Sequence, residues 1–139
     1  MSDTHRWIEI ERAEPGVFVA HNARGGRLRL GADSSELFTP VELLLVAIAA
    51  CTATDVDAVT SRRAEPEELR VRVDAQKVRD ETGNALRDIA LTLSARFAEG
   101  EAGDAARVAL LRALQTSHER SCTVSRTVEA GTAVRVSLA

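Results

Sequence analysis

The sequence predicts an α+β fold in which antiparallel strands pack around a buried helix. Short segments in the first third favour strands, a long apolar stretch follows near residue 40, and two longer alternating segments come after it. Alternation with a period of two is typical of half-buried strands, whereas a stretch that is apolar on every side is typical of a helix covered from several directions. With 139 residues, 45% of them hydrophobic, the chain can form a single domain, 1–139, with its own core.

Three short strands are predicted at the start of the chain. Trp7–Glu11 and Arg27–Gly31 alternate apolar and charged residues, and Val17–Ala20 is a short apolar run between them. Turn-forming residues separate these segments, at Glu14–Gly16 and at Asn22–Gly26. We therefore expect an antiparallel meander with one buried face and one solvated face.

A helix is predicted to begin after Thr39 and to end near Thr60 or Ser61. Thr39 is a good N-cap, Pro40 suits the first helical position, and Glu42 completes the T-x-x-E pattern of a capping box. The residues that follow are apolar on every side, so the helix is expected to be buried all round. In a chain of this size, that burial needs cover from more than one direction, which a sheet on one side and a partner subunit on another would provide.

The second half predicts two long strands, a helix and a final strand. The strands are the alternating segments 69–76 and 89–97, joined through a turn at 81–84. A helix capped by Asp104 follows and runs to about Ser117, and residues 132–138 close the chain as a strand. Three apolar residues of this helix recur at three-residue spacing and are expected to pack inward: Val108, Leu111 and Leu114.

Composition excludes several classes of function. The chain has 18 lysines and arginines against 21 acidic residues, a net charge of −3, and 3% aromatic residues, which argues against nucleic acid and anionic membranes as partners. The longest unbroken apolar run, Leu43–Cys51, is too short to cross about 30 Å of hydrocarbon. The charged N-terminus has no apolar signal-peptide core, so a cytoplasmic protein is predicted.

Two cysteines are the candidate reactive residues. Cys51 lies within the apolar helix, where a cysteine is often an inert core residue, and Cys122 lies among serine, threonine, histidine and arginine. Two cysteines are too few for a secreted disulfide framework but suffice for a redox pair. A metal site from these cysteines, His118 and Asp55 is a weaker alternative, because no C-x-x-C or H-x-x-H spacing is present.

Two segments carry a resemblance to a known family. Residues 38–56, FTPVELLLVAIAACTATDV, together with residues 118–127, HERSCTVSRT, resemble the OsmC/Ohr family of thiol peroxidases. The order of predicted elements resembles that family over nearly the whole chain. The resemblance implies an OsmC-like fold, with antiparallel sheets around a buried central cysteine-bearing helix, in an intertwined homodimer whose site lies at the subunit interface.

The resemblance also implies a reaction and its residues. Cys51 would attack the peroxide, Cys122 would resolve the resulting sulfenic acid as a disulfide, and a cellular thiol or dithiol would reduce that disulfide, without a cofactor or metal. An arginine from the N-terminal hairpin, Arg12 or Arg24, would keep Cys51 ionised and would be oriented by Glu42. Organic hydroperoxides are the expected substrates, hydrogen peroxide is a further candidate substrate, and the expected role is oxidative stress defence. An OsmC-like binding protein for a small apolar ligand, with regulatory or vestigial cysteines, is the alternative.

Overall fold

The computed structural model describes residues 4–32 and 35–139, and they form a mixed α+β fold with two antiparallel sheets. The chain divides into two compact units, the first ending at Leu44 and the second running from Leu45 to Ala139. The first unit contains a three-stranded sheet, and the second contains a two-stranded sheet and most of the helical residues.

The first unit is the predicted meander. Strands β1 (Ile8–Glu14), β2 (Val17–Asn22) and β3 (Arg27–Gly31) pair in that order, antiparallel throughout. Gly16, at the first turn, has a φ of 76°, a conformation that glycine adopts without steric strain. Directly paired side chains lie on the same face of a sheet, and the apolar ones share one face of this meander: Ile8, Ile10, Phe18, Ala20, Leu28 and Leu30.

Helix α1 (Pro40–Thr60) begins and ends as predicted. The Glu42 carboxylate accepts a hydrogen bond from the backbone N–H of Thr39 at 2.9 Å, and the Thr39 hydroxyl accepts one from the backbone N–H of Glu42 at 3.2 Å. This reciprocal pair is the capping box that the T-x-x-E pattern indicates.

The expectation that α1 is buried all round is wrong for the single chain. The chain buries one stripe at four-residue spacing, Ile48, Thr52, Val56 and Thr60, because residues four apart share a helix face. Apolar side chains elsewhere on the helix stay open, Val46 being 42% exposed.

The sequence argument about membranes also needs correction. Alanines and threonines extend the apolar character of α1 well beyond the unbroken run, and the 21-residue helix is long and apolar enough to cross a membrane. The core helix of a soluble protein meets the same criterion of length and composition.

In the second unit, β4 (Glu68–Asp80) and β5 (Gly83–Arg96) form one long antiparallel hairpin, longer than the strands predicted. The Asp80 carboxylate accepts a hydrogen bond from the backbone N–H of Thr82 at 2.8 Å and so closes the turn. A bulge interrupts the register between Asp74 and Gln76, and Asp88 on the facing strand has a φ of 54°. Alternation therefore changes phase at the bulge, which a regular period of two does not anticipate.

Helix α2 (Glu101–Thr116) begins before Asp104, and its buried face differs from the predicted one. Val108 and Leu111 are 67% and 73% exposed, whereas Leu114 is half-buried. The buried residues are small: Gly103, Ala106 and Ala113. Gly103 lies so close to the Ala98 carbonyl that a Cβ would collide with it, so small residues let this helix approach its neighbours closely.

The end of the chain differs most from the sequence prediction. A π-helical turn, Ser117–Ser121, follows α2, and Cys122 then adopts an extended conformation before the unpredicted helix α3 (Thr123–Ala130). The predicted strand at 132–138 is wrong for the single chain, since no described strand pairs with it. The alternating residues of this segment are strand-like, but their apolar side chains are 85–99% exposed: Val134, Val136 and Leu138.

Candidate functional site

The second unit brings the two cysteines together. Cys51 lies on α1 and is half-buried, whereas Cys122 lies between the π-helical turn and α3 and is completely buried. Both are free thiols, and each thiol influences the ionisation of the other through a hydrogen bond. The fold therefore provides two interacting thiols, the arrangement that dithiol–disulfide chemistry requires.

Cys122 occupies a polar environment despite its burial. Its sulfur is the N-cap of α3 and accepts a hydrogen bond from the backbone N–H of Ser125 at 3.4 Å. The Ser125 hydroxyl oxygen lies 3.3 Å from the same sulfur, and the Thr52 hydroxyl donates to it at 3.8 Å. Thr52 and Ser125 thus hold the sulfur from two different helices.

These contacts lower the pKa of Cys122. Burial raises the pKa of this thiol. Hydrogen bonds from the Ser125 hydroxyl and backbone N–H, from Cys51 and from Thr52 together outweigh the effect of burial, so the pKa lies below its ordinary value. Hydrogen bonds of this kind favour the thiolate because they are stronger to a charged acceptor.

Cys51 has the opposite tendency. Burial is the main cause that raises the pKa of its thiol. The backbone N–H of Val124 lowers that pKa, but the hydrogen bond to Cys122 and the charge of Asp55 raise it. The surroundings of the two sulfurs thus act in opposite directions, favouring the thiolate of Cys122 and the thiol of Cys51.

Asp55 and Ser117 form a second contact between α1 and the region that precedes Cys122. The Ser117 hydroxyl donates to the Asp55 carboxylate at 2.7 Å, and Ser117 is almost completely buried. The carboxylate therefore satisfies a buried hydroxyl, which would otherwise lose its hydrogen bonds to water. Asp55 thus has a structural role at this contact, as the acceptor for a buried hydroxyl.

The remaining candidate residues lie in the first unit. Arg12 is on β1 opposite Phe18, on the apolar face of the meander, and Arg24 lies in the turn between β2 and β3. The backbone N–H of Arg24 donates to the Asn22 side chain at 3.0 Å. Glu42 belongs to the capping box of α1. The assignment of one of these arginines to activate Cys51 stays a prediction.

A cavity of about 610 Å³ lies in the second unit, next to residues that contact Cys122. Thr52 and Ser125, the two residues whose hydroxyls contact Cys122, also line this cavity. Most of its other lining is apolar, and the charged groups lie on the hairpin, the π-helical turn and α3. The apolar lining residues are Ile48, Leu86, Ile89, Leu91, Leu114 and Val128. The cavity can therefore accept an apolar molecule beside the hydroxyls that contact Cys122.

The metal site considered from sequence does not form. His118 is exposed and lies 3.9 Å from Glu129, on the surface of the second unit. Within residues 4–32 and 35–139, one group of side chains has the spacing of metal ligands, and it lies in the first unit: Glu9, Glu11 and His21.

Three residues of the site were missed in the sequence. Ser125 follows Cys122 at the spacing between an N-cap and the third helical residue, so the pattern C-x-x-S before a short helix was the available signal. Thr52 adjoins Cys51 in sequence but contacts Cys122, and Ser117 contacts Asp55. No local pattern indicates those two contacts, because the partners are far apart along the chain.

Comparison with known proteins places the chain in a family. The family described as OsmC-like protein matches residues 31–137. The chain belongs to the OsmC-like family. Within it, the chain is 28% identical over 135 residues to an uncharacterized protein of Mycobacterium tuberculosis, covering 96% of this chain and 94% of that protein.

Solved structures of similar proteins share the OsmC-like fold. An OsmC-like protein from Mycoplasma pneumoniae has a TM-score of 0.71 at 18% identity, covering 92% of this chain and 89% of that one. A hypothetical protein from Aquifex aeolicus has the same TM-score and coverages at 21% identity. The organic hydroperoxide resistance protein OhrB of Bacillus subtilis has a TM-score of 0.53 at 14% identity, with 91% and 92% covered. The predicted relationship to OsmC/Ohr proteins is thus confirmed, as is the mixed α+β class.

Proposed function

We propose that this OsmC-like chain is a thiol-dependent peroxidase that reduces organic hydroperoxides through a cycle of Cys51 and Cys122. The observation that carries the proposal is the contact between two free thiols beside a largely apolar cavity. Membership of the OsmC-like family supports it, and a similar fold belongs to a protein named for organic hydroperoxide resistance. Hydrogen peroxide is a second possible substrate of the same chemistry.

The first half of the cycle oxidises Cys51. The Cys51 sulfur attacks the terminal oxygen of the hydroperoxide, an S–O bond forms and the O–O bond breaks. The alkoxide takes up the proton that Cys51 has given to Cys122 and leaves as the alcohol, which returns Cys122 to its thiolate, and Cys51 becomes a sulfenic acid. Because burial raises the pKa of Cys51, this sulfur must first lose its proton, and Cys122 is a nearby sulfur that can accept it. Arg12 or Arg24, oriented by Glu42, would favour the ionised form of Cys51.

The second half forms a disulfide and then restores the thiols. The Cys122 thiolate attacks the Cys51 sulfur, the S–S bond forms, the S–O bond breaks, and hydroxide leaves and is protonated to water. A cellular thiol or dithiol then reduces the disulfide by exchange. This requirement for a reductant fits a cytoplasmic protein, because that compartment keeps thiols reduced.

We infer that the working form is an intertwined homodimer. Apolar side chains on three elements of the chain are exposed, and a partner subunit would cover them, as the apolar length of α1 requires: Val46, Val108, Leu111, Val134 and Val136. The unpaired segment at 132–138 alternates like a strand and would gain backbone hydrogen bonds by pairing with the partner. Sedimentation at several protein concentrations tests this state, and a monomer throughout would contradict it.

Thiol counting after exposure to cumene hydroperoxide tests the peroxidase. We expect two thiols to be lost per chain, one equivalent of alcohol to form, and a dithiol to restore both thiols. Cys51→Ser should abolish the reaction. Cys122→Ser should still oxidise once and should accumulate a sulfenic acid that a dimedone-type reagent traps. Full turnover by both variants would contradict the two-cysteine cycle.

A small-ligand binding protein is the second candidate, and the cavity favours it. In that case the thiols would persist in excess peroxide, while an apolar fluorescent probe would still bind and be displaced by apolar ligands. Thiol loss with alcohol formation would exclude binding as the sole function.

A further inference from the structure

The contacts of Ser125 point to a role in the second half of the proposed cycle. We propose that Ser125 is a positioning residue, whose backbone N–H and hydroxyl hold the Cys122 sulfur for attack on the oxidised sulfur of Cys51. This inference rests on the proposed peroxidase function, but it concerns a residue that the cysteine pattern does not include.

The geometry around Cys122 comes from the way α3 begins. Cys122 is in an extended conformation, with φ −75° and ψ 95°, which turns its side chain back over the first turn of the helix. Ser125 is the third residue of that helix, and two of its groups therefore reach the sulfur, the backbone N–H at 3.4 Å and the hydroxyl oxygen at 3.3 Å. A cysteine in this position replaces the usual oxygen of an N-cap with sulfur.

A sulfur held in this way is suited to nucleophilic attack on a neighbouring sulfur. The reacting species in disulfide formation is the thiolate, and donors at a helix N-terminus favour it. Thr52 adds a second hydroxyl from α1, on the helix that also carries Cys51. The sulfur is therefore aligned by two helices, one of which carries its target.

The charged and titratable groups near the two cysteines do not supply the hydrogen bonds that Ser125 and Thr52 make to the Cys122 sulfur. The Cys51 thiol and the Asp55 carboxylate lie on α1, and Asp55 raises the pKa of Cys51. His118, in the π-helical turn, is exposed, and its side chain lies 3.9 Å from the Glu129 carboxylate of α3. The contacts that favour the Cys122 thiolate come from hydroxyls, the Cys51 thiol and a backbone N–H.

The consequence concerns the lifetime of the Cys51 sulfenic acid. A second peroxide molecule converts an unresolved sulfenic acid to a sulfinic acid, which is not reversible by thiols. A Cys122 thiolate already aligned with its target shortens this exposure, because hydroxide can leave as soon as the S–S bond forms. Ser125 would thereby protect Cys51 against irreversible oxidation.

The first experiment measures the ionisation of Cys122 without any peroxide. In a Cys51→Ser background, the ultraviolet absorbance of the thiolate is followed against pH, with and without Ser125→Ala. Loss of one hydrogen bond to a charged sulfur should move the midpoint upward by about one pH unit, a tenfold change in the ionisation constant. Ser125→Thr should restore the midpoint, and Ser121→Ala, a neighbouring exposed serine, should leave it unchanged.

The second experiment follows a single turnover of the full-length protein with both cysteines present. For Ser125→Ala at pH 7, disulfide closure should slow by about threefold, because the smaller thiolate fraction is partly offset by the higher nucleophilicity of a more basic thiolate. Formation of the sulfenic acid should not slow, because a more basic Cys122 still accepts the Cys51 proton, and the sulfinic acid fraction seen by mass spectrometry in excess peroxide should rise. Thr52→Val should produce a smaller effect in the same direction.

The outcomes separate this inference from the proposed function. An unchanged midpoint and an unchanged closure rate in Ser125→Ala would overturn the role of Ser125. If the unaltered protein loses no thiols to peroxide, the peroxidase proposal fails, whereas the absorbance titration still measures the Ser125 contact. If Ser125→Ala does not fold, Ser125→Gly in the same Cys51→Ser background takes its place, since it also removes the hydroxyl and keeps the backbone N–H. A midpoint that rises in Ser125→Gly and not in Ser125→Thr supports the role of Ser125, and equal midpoints contradict it.

Discussion

Asp55→Asn should speed the reaction of Cys51 with peroxide near neutral pH. Asp55 lies one helical turn after Cys51, and its charge raises the pKa of the Cys51 thiol, after burial, the hydrogen bond to Cys122 and the charge of Cys122. Asparagine removes that charge but keeps a carbonyl oxygen that can accept the hydrogen bond from Ser117, which is 2.7 Å long. The pKa of Cys51 should therefore fall, and more thiolate should be present at a given pH.

The magnitude follows from the position of the two side chains. Residues four apart on a helix place their side chains about 6 Å apart, at which an elementary charge contributes about 0.7 kcal/mol at a dielectric constant of 80 and about 2.8 kcal/mol at 20. Asp55 is half-exposed, and its charge is the last of the causes that raise the pKa of Cys51, so solvent screening favours the lower end of this range. A less basic thiolate is also less nucleophilic, which leaves a net gain of about two- to threefold at pH 7.

The assay is the rate of the first step against pH, measured by stopped-flow with cumene hydroperoxide. This rate rises as pH rises through the pKa of Cys51, because the thiolate attacks, and the profile of Asp55→Asn should lie at lower pH. Asp57→Asn is the matched control, since Asp57 is exposed and lies on another face of α1. An unchanged profile, or one moved to higher pH, would refute the electrostatic reasoning. Asp55→Ala should in addition lower the free energy of unfolding by about 1–3 kcal/mol, because the buried Ser117 hydroxyl loses its acceptor.

Three predictions concern the packing that supports the site, each measured by urea denaturation at one protein concentration. Val56→Ala should lower the free energy of unfolding by about 2–3 kcal/mol, because Val56 is completely buried. Val41→Ala, at a 37% exposed position of the same helix, should lower it by less than about 1 kcal/mol, and equal losses would contradict the buried stripe of α1. Gly103→Ala should lower the free energy of unfolding by about 1–3 kcal/mol, since the added Cβ would collide with the Ala98 carbonyl. Helix propensity alone predicts the opposite, a gain in stability, and observing such a gain would show that α2 packs differently. Thr39→Ala should cost about 1 kcal/mol by removing the hydroxyl acceptor of the capping box, and no loss would mean that the box does not stabilise α1.

The sequence predicted the parts of the fold that depend on local signals. The two turns, together with the alternation before the first turn and after the second, indicated the meander, and the T-x-x-E pattern at Thr39 located the start of α1. The same reasoning misjudged α2, where the larger apolar residues Val108 and Leu111 are exposed and the small residues are buried. A periodic pattern predicts burial from the apolar character of the residues. Where two backbones approach closely, small side chains are buried because larger ones do not fit.

The candidate site also combines features that the sequence predicted with features that depend on tertiary contacts. The family motifs directed attention to Cys51 and Cys122, but the contacts of Thr52 and Ser125 with the Cys122 sulfur had no counterpart in the reasoning from sequence. From the sequence, an arginine was expected to keep Cys51 ionised. The contacts within the second unit instead favour the ionised form of Cys122. Ionisation depends on burial and on donors within a few ångströms, and residues far apart in the chain supply them.

By itself, the amino-acid sequence determined the α+β class, the meander, the limits of α1, the long hairpin and the relationship to OsmC/Ohr proteins. Caps, turns and periodic apolar residues act over a few positions, and a linear sequence displays them directly. Only the tertiary structure decided that the two thiols meet, that their surroundings favour the thiolate of Cys122 and the thiol of Cys51, and that hydroxyls from α1 and α3 surround the Cys122 sulfur. These properties arise when folding brings distant segments to within hydrogen-bond distance, and no local pattern along the chain records that distance.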